Sequence, residues 1–459
     1  MRALYSLVMR LAQPFMRAKL QRRALAEPGY AVAPAERFGS YSSPDSTASA
    51  GSRCIWIHAV SLGETRAAAM LIARLRQQLP GMRLLLTHGT ATGREQGATL
   101  LEPGDVQAWQ PWDTPAAVSR FLQHFKPRIG ILMETEVWPN LAALCQERGV
   151  PLVLANARLS EKSFQQSMQL AWLARPAYRA LAAVWAQTAA DADRLAQLGA
   201  PVAGVFGNLK FDAAPNAEQL AQGRAWRQSL QRPVILFASS REGEEAAFLK
   251  ILKKNSPPSH ENSSLAATET IVSSTPLEVQ WLIVPRHPQR FDEVAALIEQ
   301  AGFAVARRSA AVGVSDENRE GKVAQPWLAA SDSDKPTIWL GDSLGEMALY
   351  YGLADVALLG GSFEPLGGQN LIEAAACACP VVMGPHTFYF AGAAELAQIA
   401  GAALLADNLA QAVEQAQALA FDAARLEAAQ AAAEAFAAAH QGATDKLVRA
   451  LSDMLLKTG

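Results

Sequence analysis

Twice along this chain, short apolar runs alternate with segments of helical period, and that alternation confines it to one fold class. In the first half, CIWIHAV (54–60) precedes a helix predicted over 65–79, and MRLLLTH (82–88) one near 93–101. RIGILM (128–133) precedes one over 140–148 and PLVLANA (151–157) one near 164–183, before AAVWAQ and AADADRLAQLG close the set. The pattern then restarts. PVILFAS, EVQWLIVP, TIWLG, ADVALLG and PVVMG are five more candidate strands, with helices predicted at about 243–254, 289–302, 344–352, 370–377 and 391–399. Apolar runs without polar alternation are buried on both faces, and the helices between them are the crossovers that parallel strands need. The expected architecture is α/β, with two parallel sheets covered by helices and joined near 207–230. With 459 residues the chain is long enough for two such cores. The Ala-rich stretch 407–455 reads as helix throughout, and the polar stretches 253–276 and 308–335 read as surface loops or insertions.

Composition narrows the function more by exclusion. Half the residues are hydrophobic and 18% are charged, which is globular and not disordered. The net charge of −2 supplies no bulk attraction to nucleic acid, and no nucleic-acid partner is expected. Cys54 and Cys145 fall in apolar settings, and Cys377 and Cys379 are too close for an ordinary disulfide and lack a second pair for zinc. All four read as structural thiols of a reducing compartment. The segment MRALYSLVMRLAQPFMRAKLQRR is too short and too charged to span a bilayer, and its basic residues follow the apolar ones. It reads as an amphipathic helix lying on a membrane surface, with docking onto its own protein as the alternative.

Ligands of open α/β sheets bind beyond the carboxyl ends of the strands. There the sequence places HAVSLGE, METEVWPN, NARLS, SSREGEE, PRHPQRF, GDSLGE and GGSFEPLGGQN, rich in Gly, Asn, Glu, Arg and His. The glycine-rich phosphate loop, the dinucleotide turn and the zinc-protease helix are missing, and a hydrolase nucleophile elbow is not expected. Asp191 and Asp193 read as helix N-terminal residues, not as metal ligands. Glu64 sits where a strand ends and a helix begins, so it serves the helix terminus, acts as a general base, or does both. Glu134 and Glu136 flank Thr135 after another strand, and at least one is expected to face the same site. Lys210 lies at the join, where a cation can meet a leaving phosphate. Gly367 and Gly368 let backbone approach a ligand, and Asn370 and Glu373 share the first turn of a helix, as ligand contacts or as a capping box. Arg286 and His287 form a cationic pair that suits a phosphate or a base.

Together HAVSLGET, METEVWPNL, NARLS, GNLKFD, SREGEE, VPRHPQRF, GDSLGEM, GGQNLIEAAA and MGPHTFYF resemble, in order, the 3-deoxy-D-manno-octulosonic acid (Kdo) transferases of lipopolysaccharide assembly. The resemblance runs from about residue 35 to 440. It implies a GT-B glycosyltransferase, with two Rossmann-like domains facing across a cleft. The domains implied are a membrane-associated helix (1–34), an acceptor domain (35–215) and a nucleotide-sugar domain with the last helices (216–459). The donor implied is CMP-Kdo and the acceptor the lipid A precursor (lipid IVA), in a metal-independent, cofactor-free, inverting transfer at the cytoplasmic face of the inner membrane. By the resemblance Glu64 is the proton acceptor, and Glu134 and Lys210 stabilise the transition state. Pro285, Arg286 and His287, then Leu344, Gly345 and Glu346, then Asn370, Leu371, Ile372 and Glu373 contact CMP. The competing readings are a GT-B transferase with another donor, such as a UDP-sugar, and a non-catalytic nucleotide-sugar binder.

Overall fold

The computed structural model describes residues 2–41, 54–255, 279–312 and 336–457. It divides into two compact units, Met1–Ala213 with His440–Gly459, and Ala214–Ala439. The expected insertions at 253–276 and 308–335 lie largely outside the described residues. Within those residues, 253–255 end the helix Glu244–Asn255, and 308–312 form a short helix instead of a loop.

The first unit is built on a sheet of seven parallel strands, ordered β3-β2-β1-β4-β5-β6-β7. These are β1 (Ile55–His58), β2 (Leu84–His88), β3 (Val106–Trp109), β4 (Ile129–Met133), β5 (Leu152–Ala157), β6 (Ala183–Ala186) and β7 (Val202–Val205). The second unit has its own seven, ordered β10-β11-β9-β8-β12-β13-β14. They are β8 (Val234–Ser240), β9 (Gln280–Pro285), β10 (Ala304–Arg307), β11 (Thr337–Leu340), β12 (Val356–Leu359), β13 (Val381–Met383) and β14 (Ala403–Leu405). The central strands are buried on both faces, as their apolar runs require. In each sheet the first strand of the unit is central and its neighbours wind off in opposite directions. A switch point therefore opens at the carboxyl ends of β1 and β4, and another at those of β8 and β12.

Four strands escape the sequence pattern: β3, β7, β10 and β14. All four are sheet edges, and none of them is buried along its whole length. An edge strand has one neighbour and less burial, so it needs no continuous apolar run.

The Ala-rich end is three helices, Leu409–Phe421, Ala423–Ala439 and Ala443–Lys457, not one. Gly442, with φ of 95°, turns the chain before the last of them. That helix does not belong with 216–459, as expected, but with the first unit. Leu447, Val448 and Leu451 share a core with Leu71, Leu75 and Ile131. Asp212 accepts from the backbone of Gly442 and Thr444, both at 2.5 Å, and Arg74 pairs with Asp445 at 2.6 Å.

The N-terminal segment forms two helices, Arg2–Leu11 and Gln13–Ala26. One side docks on its own unit. Ser6 donates to Asn140 at 2.8 Å, Arg2 pairs with Glu147 at 2.7 Å, and Leu20 packs with Tyr30 and Trp109. The other side leaves Leu4, Leu7, Val8, Leu11 and Phe15 more than half exposed. Both readings of this segment thus find a face. Among the described residues no helix is long and apolar enough to cross a membrane.

In the second unit the helices Ala217–Gln228 and Met347–Leu353 touch backbone to backbone through Gly223 and Gly352. A Cβ on Gly223 would lie 2.2 Å from the Leu349 carbonyl oxygen. Gly223→Ala is expected to destabilise this unit by about 1–3 kcal/mol, read as a lowered midpoint in thermal unfolding. An unchanged midpoint would mean that the two helices separate without cost.

Candidate active site

Glu64 is fixed by its own turn. Ser61 caps the helix Leu62–Gln78, accepting from the Glu64 N–H at 3.4 Å, and Glu64 Oε2 reaches back to accept from the Val60 N–H at 2.8 Å. The carboxylate thus bonds the N–H just before the cap, a capping box displaced by one residue, so the helix-terminus role is real. Its second oxygen, Oε1, has among the described residues the Ser61 hydroxyl at 3.4 Å. Burial pushes the carboxyl up to about 8. Glu134 and Glu136 add to that rise, while the bonds from Val60 and Ser61 oppose it. A carboxylate with such a shift is strong enough to take a proton from a hydroxyl near neutral pH.

Glu134 follows β4 directly, in the left-handed region with φ of 60°, and is 6% exposed. Its N–H donates to Ala155 and its carbonyl accepts from Arg158, which hold the unusual backbone from both sides. Glu134 Oε1 lies 3.2 Å from Lys210 Nζ. Lys210 rides on the short turn Leu209–Asp212. That turn is pinned by the Asn208 side chain, which accepts from Lys210 N–H at 3.0 Å, and by Asn156 Oδ1, which accepts from Leu209 N–H at 3.1 Å. Asn156 is itself buried with φ of 53°, at the end of β5. Glu136 accepts from Trp138 Nε1 at 3.0 Å and stands 3.8 Å from His58 Nε2. The structure therefore brings Glu64, Glu134, Glu136 and Lys210 together at the first switch point. Sequence reasoning left out two residues that hold this group, His58 and Asn156. The signal for both was their place at the last positions of apolar strands.

The second switch point is organised by Glu244, 1% exposed, whose carboxylate accepts from the backbone of Arg241 and Gly361 at 2.8–2.9 Å. One buried carboxylate thus ties the end of β8 to the turn after β12. Beside it, Arg290 holds Glu245 with two bonds of 2.7 and 3.1 Å. Arg286 Nε donates to Gln369 Oε1 at 3.1 Å, which brings the segment Pro285–His287 to the glycine pair. His287 is held below its ordinary range by burial first and then by the guanidinium groups of Arg241, Arg286 and Arg290. This concentration of positive charge suits a phosphate. Gly367 and Gly368 have φ of 92° and 75°, and a Cβ on Gly367 would strike the Tyr389 ring at 2.2 Å.

The remaining predicted contacts divide. Asn370 caps the six-residue helix Leu371–Ala376 by accepting from Ile372 N–H at 3.2 Å, so its capping role is real. Leu371 and Ile372 are 1% and 2% exposed, which leaves them only backbone to offer a ligand, whereas Glu373 is exposed. Leu344 is exposed and Gly345 turns with φ of 78°. Glu346 is bound by Arg308 at 3.0 and 3.2 Å and by the Ser343 hydroxyl. The stretch GDSLG (341–345) does have the spacing of a nucleophile elbow, against expectation. The left-handed turn falls on Gly345, which takes it without strain, and not on Ser343, whose hydroxyl bonds Glu346 and Tyr350, so the serine is not presented as a nucleophile. Asp191 is a helix-start residue, as expected: its N–H donates to the Thr188 cap at 3.1 Å. Among the described residues no three His, Cys, Asp or Glu side chains are grouped to hold a metal ion. The four cysteines are free thiols.

Comparison with known proteins follows the same lines. The family model described as 3-Deoxy-D-manno-octulosonic-acid transferase (kdotransferase) matches residues 33–213. The chain is 43% identical over 468 residues to the 3-deoxy-D-manno-octulosonic acid transferase of Bordetella pertussis, covering 99% of each. It is 32% identical to that of Haemophilus influenzae, covering 85% of this chain and 83% of the relative. Among solved structures, a glycosyltransferase from Rickettsia africae aligns over 88% of this chain and 98% of its own, with TM-score 0.51 and 12% identity. UDP-GlcNAc 2-epimerase from Neisseria meningitidis aligns over 88% and 100%, with TM-score 0.52 and 12% identity. These two likenesses concern the fold, which is the GT-B pair of Rossmann-like domains expected from the sequence. With 43% identity along nearly the whole of both chains, the protein belongs to the 3-deoxy-D-manno-octulosonic acid transferase family and is a glycosyltransferase.

Proposed function

We propose that this enzyme transfers Kdo from CMP-Kdo to the lipid A precursor lipid IVA, with inversion at the donor's anomeric carbon and without a metal. The observation that carries the reading is Glu64, a carboxylate of raised basicity at the first switch point, beside the Glu134–Lys210 pair. In the reaction, Glu64 takes the proton of the acceptor hydroxyl as its oxygen bonds to the anomeric carbon. The bond from that carbon to the CMP phosphate oxygen breaks, and CMP leaves with the electron pair. CMP is a good leaving group, so the step needs a base and nearby positive charge more than an acid. Lys210, oriented by Glu134, supplies positive charge to the transition state.

On this reading the second unit holds CMP. Arg286, with Pro285 and His287, meets the phosphate. Leu344, Gly345 and Glu346, and Asn370 through Glu373, complete the nucleotide contacts, with Leu371 and Ile372 acting through backbone N–H groups. Arg241 joins this set because it shares the charge around His287. The first unit receives the lipid.

The assay is transfer by purified protein from CMP-Kdo to a tetraacylated lipid A precursor in the presence of a chelator, read by product mass. Addition of Kdo is the expected result. CMP bound without any Kdo product would sink the acceptor assignment, and dependence on added divalent metal would sink the metal-free mechanism.

The N-terminal segment fits a site at the cytoplasmic face of the inner membrane. Its exposed Leu4, Leu7, Val8, Leu11 and Phe15 offer apolar surface, and Arg10, Arg17, Lys19, Arg22 and Arg23 offer charge to anionic lipid. Replacing Leu7, Leu11 and Phe15 together with Asp is expected to reduce sedimentation with anionic vesicles by at least about tenfold. Undiminished sedimentation would show that this face is not the membrane contact.

A further inference from the structure

Arg37 is a buried cation without a carboxylate of its own. It lies in the 3₁₀ turn Pro34–Phe38 of the first unit and is 6% exposed. Its carbonyl accepts from Trp112 N–H at 2.8 Å, just past β3, and its Nη2 donates to the Gly89 carbonyl at 2.9 Å, just past β2. Among the described residues the guanidinium makes no other hydrogen bond and no ion pair, and Nε is buried without a partner. The neighbouring Glu36 is engaged elsewhere: its Oε2 holds Arg94 at 3.1 Å and accepts from Trp109 N–H at 2.8 Å.

The guanidinium lies over the Trp109 ring, 4.1 Å from its centroid, and Arg94 lies 5.0 Å from the same centroid. Arg23, which is exposed, lies 4.6 Å over the ring of Tyr30, and Tyr30 stacks on Trp109. A ring face attracts a cation but does not replace an anion. Arginine is almost never this buried unless it is paired, because a desolvated charge without a partner weighs against the fold. Burial pulls Arg37 down to about 10, with Tyr30 and Glu36 opposing the fall and Arg23 and Arg94 adding to it. It stays charged at neutral pH. Around Arg37 the fold thus sets two more guanidiniums against one carboxylate, itself already paired.

The cluster lies on the same rim as the proposed base. Gly89 N–H and Thr90 Oγ1 both donate to the Val60 carbonyl, at 3.1 and 3.0 Å, and Val60 N–H donates to Glu64. Arg37 therefore connects through Gly89 and Val60 to the turn that carries Glu64, beyond the carboxyl ends of β1 and β2. Arg23 comes from the helix Gln13–Ala26, part of the segment assigned above to the membrane surface.

We propose that Arg37, with Arg23 and Arg94, forms an anion site in the first unit that takes a phosphate monoester of the lipid acceptor. This rests on the reading of the acceptor as the lipid A precursor, a disaccharide that carries phosphate at both ends. A phosphate monoester supplies the anion that Arg37 lacks and meets the donors that its planar fork leaves unused. Bulk anionic lipid also carries phosphate, as a singly charged diester. The burial of Arg37 and its tie to the Glu64 turn fit the acceptor and not the bulk headgroup.

The test measures transfer by the full-length protein from CMP-Kdo to three acceptors, the tetraacylated bisphosphate and the two forms that lack one phosphate. The unaltered protein is expected to use one of the two monophosphates with kcat/KM about ten- to hundredfold below the bisphosphate. Arg37→Met keeps the length of the side chain and drops its charge. It is expected to lower kcat/KM for the bisphosphate by the same factor, mainly through KM, and to lose little more when that phosphate is removed. Arg23→Gln, at an exposed position that tolerates folding, is expected to show the same dependence with a loss of about three- to tenfold. Equal losses on all three acceptors in these variants, or losses that multiply when variant and missing phosphate are combined, would overturn the site. Sedimentation with vesicles of anionic lipid that contain no acceptor separates the two sources of phosphate. Undiminished sedimentation of Arg37→Met is expected, whereas a loss as large as the kinetic one would assign Arg37 to bulk headgroups and overturn the proposal. No transfer by the unaltered protein to any of the three would remove the acceptor reading itself, whereas transfer indifferent to both phosphates would remove only the site.

Discussion

Glu64→Gln is expected to reduce Kdo transfer by about 10²–10⁴-fold, the usual contribution of a general base, while CMP affinity stays near that of the unaltered protein. The separation follows from the placement of the groups. Glu64 belongs to the first unit, and the proposed CMP contacts all belong to the second. Equal loss of CMP binding would count against the assignment. The pH profile should agree, because Glu64 must be ionised to act. Activity is expected to rise with pH along a one-proton limb centred near 8. Glu64 also affects stability, with a definite sign. Its folded carboxyl is raised well above the value of the unfolded chain, 4.5. Between the two values the folded state holds a proton that unfolding releases, so Glu64 makes stability fall as pH rises through that window, and the effect is flat above it. Glu64→Gln is therefore expected to resist unfolding better than the unaltered protein above pH 8, with no difference below about 4.5. An inactive and stabilised variant is what a group kept for chemistry should give. A variant that is inactive and destabilised at high pH would point to the capping box instead.

Lys210→Ala is expected to carry the next largest loss, about 10²–10³-fold in turnover. It removes the cation that the mechanism places in the transition state. It also leaves Glu134 buried beside an empty place, which costs about 1–3 kcal/mol of stability. That figure stays below the cost of breaking a fully buried pair because Lys210 is partly exposed. The two effects separate in Lys210→Ala/Glu134→Gln. Neutralising Glu134 should recover the stability, and turnover should stay low. Recovery of both would show that Lys210 serves only to neutralise Glu134.

What the sequence discloses depends on how strongly each residue is constrained by its neighbours. The ten central strands are legible because burial on two faces demands an apolar run, as in IWIH or VALL. The four edges are not, because VAGV and AVAR meet a neighbour on one side only. Glu64, Glu134 and Lys210 are legible as residues but not as a group, since 146 positions separate the first from the last and only the strand order 3-2-1-4-5 brings them together. His58 and Asn156 stay hidden for a different reason. Each is a polar residue at the end of a buried strand, and a sequence does not distinguish a satisfied core side chain from one that steadies a neighbour. Leu371 and Ile372 show the converse. The motif marks their positions, and the fold buries their side chains in the core.

The return of helix Ala443–Lys457 to the first unit has a consequence for synthesis. The helix Leu62–Gln78 is made early, but the partners that cover Leu71 and Leu75, such as Leu447 and Leu451, are made hundreds of residues later. At roughly 5–20 residues per second the interval lasts tens of seconds. Throughout it the nascent first unit carries an open apolar stripe, to which a chaperone or another nascent chain has access. The unit that holds the proposed base is thus the first to begin folding and the last to close.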